Sequence, residues 1–175
     1  TDVTIDPSTD LVPGVSGQRY RVEIDRGVIT DASGNAFAGL YRAMYEFDLA
    51  DTVPPSLVNQ VPTSGAANVD ASTTVVLTFN ENVNVTDVGN VTLTPQSNAS
   101  AAVVVTRVSG GSITADGSVV TVVVAGGLAP NQTVETYHVT MSSGLIADAA
   151  GNVFSGIVDG YRFSLADSIG PSLLS

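Results

Sequence analysis

Cysteine is absent from this 175-residue chain, histidine occurs once, and lysine is missing, so that all six basic residues are arginine. Without thiols there is neither a disulfide framework nor a thiolate metal site, although this does not exclude an extracellular address. His138 alone cannot build a histidine metal site, and any Ser-His-Asp or Cys-His arrangement would have to centre on it. Aromatic residues make up only 6% of the chain, too few for a sugar-stacking platform beyond Tyr41 and Tyr45. Basic patches and glycine-rich phosphate loops are missing. The 17 acidic residues give a net charge of −11, which repels nucleic acid and anionic lipid, accepts cations and favours solubility at high salt. No apolar run approaches the ~20 residues of a membrane helix, and no signal peptide is recognisable.

What the chain does contain is a statement made twice. Tyr20-Arg21-Val22 followed by Gly27-Val28-Ile29-Thr30-Asp31-Ala32-Ser33-Gly34-Asn35 returns, 117 residues later, as Tyr137-His138-Val139 followed by Gly144-Leu145-Ile146-Ala147-Asp148-Ala149-Ala150-Gly151-Asn152. After one deletion, Tyr45-Glu46-Phe47 returns as Tyr161-Arg162-Phe163 at an offset of 116. A unit this long is a whole domain rather than a solenoid repeat. The repeat frames residues 53–167 as one complete copy, residues 1–52 as the closing part of a preceding copy, and residues 168–175 as the opening of a following one. Residues 1–52 are therefore expected to order only when the missing strands come from a neighbouring chain or another segment, because a half-domain exposes sheet edges and apolar faces.

Within the complete copy, helical periodicity is nearly absent and β-branched runs bounded by turn residues recur. Strands are predicted over 56–61, 73–79, 91–94, 101–108, 118–124, 135–141 and 161–165. Alternation places Val75, Leu77 and Phe79 on one face, and likewise Tyr137, Val139 and Met141, with His138 on the opposite face of its strand. Gly110-Gly111 and Asp116-Gly117 read as turns. Residues 120–124 are nearly apolar on both faces, as befits a central strand or an edge buried against a neighbouring domain. About seven short strands at this spacing point to an all-β, antiparallel β-sandwich with Phe79 and Phe163 between its sheets.

Several ordered segments resemble the bacterial Ig-like domains typified by surface-layer proteins. They include Thr52-Val53-Pro54-Pro55-Ser56, Val61-Pro62-Thr63-Ser64-Gly65-Ala66-Ala67-Asn68-Val69 and Val76-Leu77-Thr78-Phe79-Asn80-Glu81-Asn82-Val83. Leu128-Ala129-Pro130-Asn131-Gln132-Thr133 and the stretch from Gly144 through Asn152 continue the likeness. Gly170-Pro171 replaces the Pro54-Pro55 of the earlier junction, which loosens that joint. The resemblance implies tandem Ig-like sandwiches of Greek-key type, used as a spacer or adhesion module on a cell surface or filament. It implies no enzymatic activity and no fixed ligand.

Chemistry has few footholds. The Asp-x-x-Gly-Asn loops at Asp31/Gly34/Asn35 and Asp148/Gly151/Asn152 suit a tight turn, with Asp accepting backbone N–H bonds and Gly and Asn tolerating positive φ. Read instead as Ca²⁺ loops, each offers one carboxylate where an EF-hand needs several. Turn chemistry alone predicts that Asp148→Ala lowers stability with no calcium-dependent difference. At the domain junctions Asp51 and Asp167 are candidate Ca²⁺ ligands, or solvated charges at strand ends, beside a Pro-Pro linker that fixes spacing. Asn84, Asn90, Asn98 and Asn131 head N-glycosylation sequons, meaningful if the source is eukaryotic and the chain secreted. Glu81 and Asp148 are a conceivable glycosidase pair, though no spacing singles them out. The expectation is a non-catalytic, extracellular structural module that packs with neighbouring repeats or other copies of the protein. Its rival is a ligand- or carbohydrate-binding adhesion module attached to an extracellular enzyme or receptor.

Overall fold

A computed structural model describes residues 2–12, 14, 17–107, 111–129, 134–168 and 170. The chain divides into two compact units, Thr1–Val53 and Pro54–Ser175. In the smaller unit, β1 (Gln18–Arg21) pairs antiparallel with β2 (Glu46–Leu49). Alternation sorts the two faces. Arg19 meets Asp48 and Arg21 meets Glu46 on one side, while the Tyr20 and Phe47 rings stack 5.9 Å apart on the other. A 3-10 turn covers Arg42–Met44.

The larger unit contains β3 (Leu57–Val61), β4 (Val75–Phe79), β5 (Asn84–Val85), β6 (Val91–Pro95), β7 (Val103–Val105), β8 (Gly111–Asp116), β9 (Val119–Val124), β10 (Thr136–Met141), β11 (Ile146–Ala147) and β12 (Arg162–Ser164). They form two four-stranded antiparallel sheets, ordered β3-β4-β9-β8 and β12-β10-β6-β7, and a small β11-β5 pair. The predicted alternation holds: Val75, Leu77 and Phe79 are buried, as are Tyr137, Val139 and Met141. They join Val120, Val122, Leu93 and Phe163 in one apolar core. With no cysteine, no disulfide crosses that core, and apolar packing holds the two sheets face to face. The valine-rich run is a central strand, β9, flanked by β4 and β8.

One prediction needs correction. Gly111, read as hairpin material, belongs to β8, and the tight turn lies at Gly117-Ser118. An edge strand has neighbours on one side only, so β8 needs little apolar content: Ile113 is buried and Ala115 half-buried. That low content hid it. The two-residue strands β5 and β11 are too short to leave a periodic signal. Val108, the end of the predicted 101–108 strand, lies outside the described residues.

The two sequence copies carry the same local hydrogen bonds. Gly27 N–H donates to Phe37 O as Gly144 N–H does to Phe154 O, and Asp31 N–H to Asn35 O as Asp148 N–H does to Asn152 O. Tyr20 Oη donates to Val12 O at 3.0 Å and Tyr137 Oη to Ala129 O at 3.1 Å, each eight residues back. A tyrosine near the start of such a strand, tied back to the preceding corner, is the tyrosine corner of Ig sandwiches. Tyr137→Phe is expected to cost about 1–2 kcal/mol by removing that donor. Tyr161 offers the contrast. Its hydroxyl is buried without a hydrogen-bonding partner among the described residues, and burial pushes its pKa upward. Tyr161→Phe is therefore expected to leave stability unchanged or raise it by up to ~1 kcal/mol. Chemical denaturation of both variants checks the pair; equal losses would remove the distinction.

The copies differ in cover. Val3 and Ile5 are 59% and 58% exposed, whereas their counterparts Val120 and Val122 are fully buried. Val3 and Ile5 line a trough of about 830 Å³ with Ile24, Ile29, Phe37 and Leu40. In the larger unit the counterparts of these residues lie in the apolar core.

Candidate functional site

The pairing of β5 with β11 matches Val85 to Ile146 and Asn84 to Ala147. That short ladder carries Glu81, just before β5, and Asp148, just after β11, to the same end of the sandwich. The loop holding Glu81 is pinned on both sides, by Asn80 N–H to Ser56 O at 3.0 Å and Val83 N–H to Gly117 O at 3.0 Å. Glu81 and Asp148 are 8% and 5% exposed, and each presents a carboxylate oxygen within 4.8 Å of the other. Two such charges repel by on the order of 3 kcal/mol at an effective dielectric of about 20. A cation or a shared proton relieves that repulsion.

The Asp148 loop occupies its own carboxylate. Oδ1 accepts from Asn152 N–H at 2.8 Å and Oδ2 from Asn152 Nδ2 at 2.7 Å. Asp31 repeats the arrangement with Asn35 at 2.8 and 2.7 Å, and accepts from Ser33 N–H at 2.9 Å. Both aspartates thus make the turn hydrogen bonds expected of these loops. Burial raises the Asp148 pKa, but hydrogen bonds from Asn152, Gly151 and Ala150 outweigh it and leave the carboxyl below the ordinary range. A depressed folded pKa stabilises the fold above the unfolded value near 4, and that contribution disappears as pH falls through the folded value. The melting temperature is accordingly expected to drop below about pH 4, and less steeply in Asp148→Asn. Parallel slopes for the two proteins would exclude Asp148 as the titrating group.

The other predicted residues are scattered. Within the smaller unit, Asp51 Oδ1 accepts from Val53 N–H at 2.9 Å, and Asp31 is exposed. Asp167 is exposed beyond β12. Asn84 and Asn98 are exposed and Asn90 half-buried; Asn131 lies outside the described residues. His138 is half-buried and paired in register with Thr94 and Arg162. Tyr41 and Tyr45 are exposed, with the Tyr41 hydroxyl accepting from Arg26 N–H at 2.7 Å.

As a catalytic pair, Glu81 and Asp148 have the wrong surroundings. Glycoside cleavage needs two carboxyl groups flanking a bond that a sugar can reach. These two are nearly sealed. Sequence reasoning also missed Glu135, which is buried and accepts from Ser97 N–H at 3.1 Å and from the Ser97 hydroxyl, tying the turn after β6 to the start of β10. No repeat signal marks it, since its counterpart in the smaller unit is Gln18. The tyrosine corner did leave a signal, an eight-residue spacing kept in both copies.

In their strand order, β3-β4-β9-β8 and β12-β10-β6-β7 reproduce the two sheets of an immunoglobulin-like sandwich, with β7 extending the second sheet. Comparison with protein families gives the same class: the bacterial Ig-like domain matches residues 51–165. This is well over half of the chain, and the chain belongs to that family. No curated protein matches it. The family has a non-enzymatic fold, and its domains typically occur in extracellular or surface proteins. Among the described residues no helix is long and apolar enough to cross a membrane, which leaves β-strand spans unaddressed.

Proposed function

We propose that the chain is a non-catalytic structural module of a long extracellular protein of surface-layer, adhesin-like or filament-forming type, serving as rigid spacer and packing unit. The supporting observation is where the polypeptide enters and leaves the sandwich. It enters at Ser56, whose carbonyl accepts from Asn80 N–H beside the Leu57–Phe79 pair. It leaves past Leu165, which bridges in parallel to Val69, beyond the far end of β3. Entrance and exit at opposite ends let identical units be strung in series. Packing partners are neighbouring repeats or other copies, favoured by the apolar trough of the smaller unit. Small-angle scattering on one, two and three copies of residues 53–167 in series tests this. Maximum dimension is expected to rise by a constant step per copy; a compact trimer sinks the spacer reading, and specific binding on a glycan array favours the adhesion module.

Calcium belongs to the same proposal. Glu81 and Asp148 are the proposed carboxylate ligands. Millimolar calcium is expected to raise the melting temperature of the wild type and not of Asp148→Ala. Identical melting curves with calcium and with chelator would eliminate the metal and leave the turn role alone.

A further inference from the structure

Asp-Gly occurs twice in the chain, at Asp116-Gly117 and Asp159-Gly160. Glycine has no side chain to shield its amide, so in this dipeptide the aspartate carboxyl is readily reached by the following main-chain nitrogen. The two pairs share that chemistry, and all four residues are exposed to water. They differ in how they are folded. At the second pair, Gly160 N–H donates to Oδ1 of Asp159, its own neighbour, at 2.7 Å. The nitrogen and the carboxyl it can attack already lie against each other. At the first pair, Asp116 ends β8 in register with Val119. Closing a ring between side chain and main chain needs the next nitrogen eclipsed with Cβ, and the extended backbone of a strand turns it away.

Neighbouring bonds hold the second pair in place. Ile157 and Met141 exchange two main-chain bonds, Ile157 N–H to Met141 O at 3.0 Å and Met141 N–H to Ile157 O at 2.8 Å. Only Val158 separates that anchor from Asp159. On the other side, Gly160 O accepts from Ser64 Oγ at 2.6 Å, and Tyr161 O accepts from Val139 N–H at 2.9 Å. Gly65 N–H donates to Arg162 O at 2.7 Å and Ser164 N–H to Ala66 O at 2.8 Å. Gly160 itself takes φ +86°, which a residue with a side chain avoids. The approach of nitrogen to carboxyl is thus pinned from both sides, the condition under which a reaction between neighbouring groups is accelerated.

We propose that Asp159-Gly160 is a self-modification site, at which Asp159 converts to isoaspartate without an enzyme. From the acid form of the carboxyl, the Gly160 nitrogen forms a bond to Asp159 Cγ and the Cγ–OH bond breaks. The amide proton departs with that hydroxyl as water, leaving a succinimide ring. Water then adds to one of the two ring carbonyls. Addition at Cγ breaks the Cγ–N bond and restores aspartate. Addition at the former main-chain carbonyl breaks its bond to nitrogen instead. The chain then runs through Cβ and Cγ, and the former main-chain carbonyl carbon carries the free carboxylate. One water leaves and one returns, nothing is oxidised or reduced, and the mass is unchanged. The lengthened backbone falls immediately before Tyr161, the buried residue that leads into β12.

Ageing the full chain in mildly acidic buffer, native and in parallel in urea, tests the site. Digestion with a protease that cuts before aspartate but not before isoaspartate, followed by chromatography of the fragments, reads each pair separately. In the native chain isoaspartate is expected to accumulate on the order of tenfold faster at Asp159 than at Asp116, the scale on which a pinned approach speeds such a closure. In urea the two rates are expected to converge, because unfolding leaves only the chemistry that the two dipeptides share. Ageing in heavy-oxygen water is expected to label Asp159, including molecules that have returned to aspartate. Asp159→Glu, which would have to close a larger ring, is expected to stay unmodified while Asp116 ages as before. Equal native rates at the two pairs would overturn the proposal. So would an excess at Asp159 that persists in urea, since sequence rather than the folded approach would then set the rate.

Discussion

Phe79→Ala is expected to destabilise the larger unit by about 3–5 kcal/mol, the usual range for removing a large aromatic side chain from a core. Phe79 closes β4, is 2% exposed and meets the Phe154 ring edge-on at 5.1 Å. It therefore joins the first sheet to the loop that follows β11, a region with only a two-residue ladder of its own. Truncation removes the transfer free energy of the ring and leaves a cavity that the pinned neighbours cannot fill, since Phe79 N–H is held by Ser118 O at 2.8 Å. Val58→Ala, on the same sheet at a 60% exposed position, is expected to stay within about 0.5 kcal/mol. Urea denaturation measures both. A loss below about 1 kcal/mol for Phe79→Ala would show that the ring is not in the core.

Gly156→Ala is expected to cost about 2–4 kcal/mol, for two separable reasons. Gly156 adopts φ +91°, a conformation that side-chain-bearing residues avoid. In addition, a Cβ there would collide with Met141 O and stand 2.9 Å from Ser143 N. Both obstacles are backbone, and Met141 O is already fixed by its bond from Ile157 N–H at 3.0 Å. Gly151 has the same φ of +91° but open space around its Cβ position. Gly151→Ala is therefore expected to show only the conformational part, about 1–2 kcal/mol. Equal losses at the two positions would mean that the collision relaxes freely. The smaller unit repeats the constraint at Gly39, with φ +95° and a Cβ position 2.6 Å from Ile24 O.

Most of the sandwich was legible because its signals are local. The buried faces of β4 and β10 follow from alternation in a strand with one wet side, and the turns follow from the glycines that end them. β8 was lost because an edge strand buries little and shows little. The Glu81–Asp148 pair was named among several acids, but spacing could not select it: the two are 67 positions apart, joined only by the β5–β11 ladder. Glu135 had no signal, since a single buried acid owes its position to the Ser97 turn that receives it.

By itself, the order of residues determined the all-β class, the 117-residue spacing between its similar segments, the inward faces and the lack of any cysteine. These depend on short-range periodicity and on composition, which the chain states openly. Tertiary structure alone decided which acids share a buried corner, which tyrosine hydroxyl is satisfied, and that residues 65–69 run parallel to 162–166. Those are contacts between segments far apart in the chain, created when two sheets close on a common core, and no local pattern encodes them.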